Sequence, residues 1–199
     1  MGKTRLEAFS DGVIAIIITI MVLELKVPEG ADWNALKSES HMLLNYAISF
    51  ALIGIYWNNH HHLLHTVKHV SSGIMWANLN LLFWLSLIPF DTAWMGENHK
   101  QPLPVAFYAL LLAVCGISYT ILQKIIEACH KDELQLKEVM RRQKRKGILS
   151  VAFYIAAIPL AYLNTSISIL LFMAVAITWF IPDKKIERLY DNNFTAEDN

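Results

Sequence analysis

Polar residues gather in short clusters along this chain, and between them lie apolar runs near the length of about 20 residues that a bilayer demands. Six runs qualify: Leu6–Lys26, Leu43–Leu64, Gly73–Met95, Pro104–Ile126, Ile148–Leu163 and Ser166–Ile181. Each is read as a membrane-crossing helix. The fifth and sixth are short and separated only by Asn164 and Thr165, the pattern of a tight helical hairpin. An even number of crossings places both termini on one side. The predicted fold class is an all-α membrane protein with six transmembrane helices per chain.

Composition agrees. Hydrophobic residues make up 55% of the 199, charged residues only 17%, and the mean hydropathy is +0.37; a soluble domain carries about 25% charged residues. Seventeen Lys and Arg balance seventeen Asp and Glu. A nucleic-acid partner, which calls for a basic patch and a high pI, is excluded. Fourteen of the seventeen basic residues fall on the side of the amino terminus, leaving Lys26, Lys37 and Lys100 opposite, so both termini are expected in the cytoplasm. A cleaved signal peptide is the rival reading of the first run, since Lys3 and Arg5 precede the apolar stretch from Gly12 to Leu23. That stretch ends in Glu24-Leu25-Lys26 without a small-x-small cleavage site, and five more runs follow. No internal repeat is visible, so residues 1–199 are taken as one domain with a polar cytoplasmic tail over about 183–199. Cys115 and Cys129 stand fourteen residues apart, roughly 21 Å on one helix, too far for a disulfide.

Several residues break the apolar economy. Arg5, Ser10, Asp11 and Glu24 flank or enter the first run, where an ionised side chain at the helix centre costs roughly 2.5–3.5 kcal/mol. Marking the water interfaces is their simplest role; Asp11, beside Ser10, points instead to a buried partner. His61, His65 and His69 recur every four residues, which on a helix aligns imidazoles as metal sites do. A membrane-embedded metal or haem enzyme using the His60–His69 histidines is therefore an alternative from another class. Against it, there is no His-Glu-x-x-His, and no carboxylate lies between Asn45 and Phe90. A third reading is a membrane assembly protein that conducts nothing. Arg141, Arg142, Lys144, Arg145 and Lys146 form a juxtamembrane basic cluster suited to anionic lipids, although orientation alone also explains it. Trp94, Tyr162 and Trp179 near run ends fit interfacial anchoring.

Arg5-x-x-x-Phe9-Ser10-Asp11 followed by Gly12-Val-Ile-Ala-Ile-Ile resembles the signature of the transmembrane protein 175 family, the endolysosomal potassium channels of animals and their prokaryotic homologues. Tyr56-Trp57-Asn-Asn-His60-His61 in the second run resembles that family too. So do Trp76-Ala-Asn78-Leu79 and Ser86-Leu-Ile-Pro89-Phe90 in the third. Phe-Ser-Asp occurs once, whereas the animal members resemble two fused six-span units, so the resemblance is to the single-repeat prokaryotic branch. It implies a homotetramer in a prokaryotic plasma membrane, with first helices lining a central pore, potassium as permeant ion, and no catalysis, cofactor or metal. It also implies that Arg5, Phe9, Ser10, Asp11, Trp57, His60, His61, Trp76 and Asn78 knit the first three helices together.

At 100° per residue, Ile20 and Leu23 lie about 40° and 20° from Ile16, so the three share a stripe that fourfold symmetry turns into stacked apolar rings. Such rings close a narrow pore by dewetting. Composition alone would equally place them against lipid or another helix; the resemblance assigns them to the pore. Thr19, about 60° off the stripe, offers a hydroxyl to a passing cation. Asp11 projects about 140° from Ile16, toward neighbouring helices, with Arg5, Trp57, His60 and His61 as candidate partners. The chain has no Thr-Val-Gly-Tyr-Gly loop and no arginine-rich span, so a modestly potassium-selective, leak-like conductance without a voltage sensor is expected.

Overall fold

A computed structural model describes residues 2–98, 101–129 and 134–180. The polar tail, the end of the sixth run at Ile181, and Lys100, Lys131, Lys184, Lys185 and Arg188 lie outside the described residues, as do the side chains of Lys137 and Arg142. The described chain is helical, in the order α1 (Lys3–Leu23), α2 (Trp33–Ser38), α3 (Ser40–His65), α4 (Ser72–Leu85), α5 (Ile88–Glu97), α6 (Pro102–Cys129), α7 (Leu134–Leu163) and α8 (Thr165–Phe180). Among these residues four stretches are long and apolar enough to cross a membrane: Lys3–Leu23, Ser72–Glu97, Pro102–Cys129 and Gln143–Leu163. α8 is apolar but shorter. α3 is long, yet its asparagines and histidines dilute its hydropathy.

The expected third helix is broken. α4 ends at Leu85 and α5 begins at Ile88 with Pro89 in its first turn. Proline supplies no N–H and crowds the preceding turn, so one continuous helix through it would lose a backbone bond. α7 begins well before Ile148, carrying the basic cluster on a helix rather than a loop. The short α2, which no apolar run announced, is capped by Asp32, whose Oδ1 accepts the Ala35 N–H at 2.8 Å. The hairpin between α7 and α8 forms as expected around Asn164, whose Oδ1 accepts the Ser166 N–H at 2.9 Å.

α6 is the hub, packing on α4, α5, α7 and α8. Its packing on α7 is tight at Gly116, where a Cβ would sit 2.7 Å from Val151 Cγ2. The core runs through Ile14, Ile53, Leu81, Leu85, Tyr108, Leu112 and Phe172, all fully buried. α1 is peripheral, resting on α3, α4 and α5. Beyond its end, Lys26 Nζ meets Glu97 Oε1 at 2.7 Å, and this carboxylate holds the ammonium above its usual pKa.

Candidate functional site

α1 has two unlike faces. Leu6, Ser10, Ile14, Ile17 and Met21 recur at three- and four-residue spacing and are buried against the bundle. Arg5, Phe9, Gly12, Ile16, Thr19, Ile20 and Leu23 form a second stripe and are exposed, Ile16 at 58% and Leu23 at 80%. The three ring candidates and Thr19 thus share a face that none of the described residues covers. Thr19 Oγ1 donates to Ile16 O at 2.9 Å, which leaves its lone pairs as the hydroxyl's outward chemistry.

The buried face carries a directional relay. Ser10 Oγ donates to Leu6 O at 2.8 Å, and Asn78 Nδ2 donates to Ser10 Oγ at 2.9 Å. The carboxamide oxygen of Asn78 must then accept, so His60 Nε2 donates to it across 2.6 Å. One residue from each of α1, α4 and α3 is thereby locked in a fully buried layer. His60 Nδ1 finds no partner among the described residues. At the rim of this layer Trp57 Nε1 donates to Asp11 Oδ1 at 3.0 Å, and Lys3 Nζ donates to His65 O at 2.6 Å.

Of the nine motif residues, the structure joins Ser10, His60 and Asn78 in one relay and Asp11 with Trp57 in a second contact. His61, though exposed, lies against Trp57 with ring centroids 6.1 Å apart, while Arg5, Phe9 and Trp76 enter neither group and are exposed among the described residues, Trp76 at 73%. The imidazole ladder is incomplete. α3 ends at His65, so His69 leaves the helical register of His61 and His65. Among the described residues no three His, Cys, Asp or Glu side chains gather in a cluster able to hold a metal ion.

A second polar layer went unread in the sequence. Ser49 Oγ on α3 is hydrogen-bonded to both Thr92 Oγ1 on α5 and Tyr108 Oη on α6, each at 2.7 Å. Asp91, adjacent to Thr92, is 0% exposed, and neither carboxyl oxygen has a hydrogen-bond partner among the described residues. A carboxylate inside an apolar run is the signal that could have found it.

A helical bundle with four stretches fit to cross a membrane, apolar side chains exposed on most of its helices and polar layers buried between them, is the fold of a membrane-embedded protein. The family model described as endosomal/lysosomal potassium channel TMEM175 matches residues 5–89, and the chain belongs to the TMEM175 family of potassium channels. It is 50% identical over 193 residues to a potassium channel of Chryseobacterium sp. (strain P1-3), an alignment covering 97% of this chain and 100% of that one. It is 35% identical over 114 residues to the human endosomal/lysosomal proton channel TMEM175, covering 51% of this chain and 23% of the human protein. The crystal structure of a lysosomal potassium-selective channel TMEM175 homolog from Chamaesiphon minutus superposes with a TM-score of 0.78 at 26% identity, covering 90% of this chain and 96% of that one. The enzyme alternative built on the histidines falls with this membership.

Proposed function

We propose that this chain is one subunit of a homotetrameric, modestly potassium-selective, leak-like channel of a prokaryotic plasma membrane. Each subunit is a single six-span domain over residues 1–199 with both termini in the cytoplasm. Four α1 helices surround the central axis, and Ile16, Ile20 and Leu23 form stacked apolar rings that set the conducting state by wetting and dewetting. Thr19 presents hydroxyl oxygen to the permeant ion between them. Monovalent cations are the cargo, and no cofactor takes part.

The observation that carries this reading is the two-faced α1. Its buried side is fastened to α3 and α4, while the stripe through Ile16, Ile20 and Leu23 is left uncovered by the described residues of one chain. Fourfold assembly supplies the missing cover and creates the conduit at once. Arg5 and Phe9 lie on the same stripe and face neighbouring subunits, and the relay holds each α1 in place.

Potassium flux into liposomes, compared between the native chain and Ile16→Ala, tests the reading. Trimming that ring raises flux and weakens the preference for potassium over sodium. An unchanged current with unchanged ion preference refutes Ile16 as the constriction, and a native mass other than four times 22.7 kDa refutes the assembly.

A further inference from the structure

Away from α1, an open cleft with a cavity volume of about 40 Å³ lies between α3, α6, α7 and α8. Tyr56, Asn59, Tyr119, Ser150, Tyr154 and Trp179 form most of its wall, and no acidic residue lines it among the described residues. Gly147 keeps it open: the nearest atom a Cβ there would meet is Thr120 Oγ1 at 3.9 Å. Trp179 Nε1 donates to Ser150 Oγ at 2.9 Å, fixing the indole as a wall. Lys146 sits at the rim, its Nζ 5.9 Å from the Trp179 ring centroid and 3.5 Å from Thr178 O. Arg141, Lys144 and Arg145 occupy the preceding turns of α7.

The chemistry of the wall changes with depth. Along α7, Ser150 and Tyr154 follow Lys146 by about 6 and 12 Å of rise, so ammonium groups give way to hydroxyls and then to aromatic and aliphatic surface. The Tyr56 and Tyr154 hydroxyls have no hydrogen-bond partner among the described residues. We infer that this cleft is a binding site for one anionic phospholipid of the leaflet at the Lys144–Lys146 end. The phosphate rests at Lys146 and its basic neighbours, the ester carbonyls accept from the tyrosine hydroxyls, and an acyl chain lies along Leu52 and Ile55. A cation over the indole face beside an apolar slot suits a charged headgroup with a tail, and a bare anion would leave the slot empty.

Native mass spectrometry of the full-length detergent-solubilised protein, supplied with phosphatidylglycerol, phosphatidylcholine or inorganic phosphate, tests this without any ion flow. Phosphatidylglycerol is retained at one per chain with about a fivefold preference over phosphatidylcholine per basic contact, the equivalent of about 1 kcal/mol per charge. Lys146→Gln removes one such factor and Lys146→Arg restores it. Gly147→Leu fills the cleft and reduces retention of both lipids. Equal retention of the two lipids by the native protein, or unchanged retention by Lys146→Gln, overturns the inference. Retention of inorganic phosphate in place of lipid overturns it as well. If Gly147→Leu does not fold, the Lys146 pair alone decides.

Discussion

Asn78→Leu removes the middle of the α1–α4–α3 relay, and the bonds on either side of it set the size of the loss. Ser10 keeps its own acceptor, Leu6 O, so on that side one interhelical bond is lost, worth about 0.6 and at most about 1.7 kcal/mol in a membrane interior. On the other side His60 loses the only partner it has among the described residues and becomes an unsatisfied buried donor, at about 1–3 kcal/mol. Together the loss is about 2–5 kcal/mol. Asn78→Asp, which retains the oxygen that accepts from His60, separates the two halves of that sum. Ser10→Ala in the Asn78→Leu background costs less than Ser10→Ala alone, because the bond it would break is already gone. Denaturant-induced unfolding of the reconstituted protein reads these differences, with Ser86→Ala, at the exposed end of α4 where the hydroxyl donates to Phe83 O, as a control below about 0.5 kcal/mol. Native-like stability of Asn78→Leu, or strict additivity of the double variant, would refute the relay as an anchor.

Gly116→Val drives a side chain into Val151 where a Cβ alone would approach to 2.7 Å, and an unfolding titration registers a loss of about 1–3 kcal/mol. A maleimide modifies the exposed Cys129 in the folded protein and spares the buried Cys115 until denaturation, as peptide mass mapping shows. With a membrane-impermeant reagent on intact cells, Cys129 is also spared if the termini are cytoplasmic. The folded-state pKa of Lys26 is raised by Glu97, so the stabilisation from this exposed pair is present in full below about pH 10.4 and is lost as pH climbs through the folded value. The difference in melting temperature between the native protein and Lys26→Gln therefore narrows toward zero between pH 9 and 12.

The crossing segments are legible because lipid imposes one demand, length of apolar chain, that composition meets without any tertiary knowledge. The break between α4 and α5 was marked by Pro89, but an apolar run reads through a proline that a backbone does not. The end of α3 was harder: Thr66-Val67-Lys68 holds neither Gly nor Pro, so the histidine period overran the helix by one turn. Ser10, His60 and Asn78 were recognisable as motif members, yet which of them touch was not, since the relay pairs residues as far as 68 positions apart. Ser49, Thr92 and Tyr108 left no trace at all: each is a mildly polar residue in an apolar run, and only packing brings their hydroxyls together. Asp91 escaped because it stands one position past the carboxylate-free stretch that ends at Phe90.

Among the described residues, directional bonds from α1 to its neighbours are made in its first half, at Lys3, Ser10 and Asp11. From Gly12 to Leu23 the described packing on the core is made by Val13, Ile14, Ile17, Ile18 and Met21, side chains that form no hydrogen bond with it. Three residues past Leu23 the chain is held again, where Lys26 Nζ meets Glu97 Oε1 at 2.7 Å and the Lys26 N–H donates to Met42 Sδ at 3.3 Å. The stripe that carries Ile16, Ile20 and Leu23 is thus a span held at both of its ends rather than a free arm.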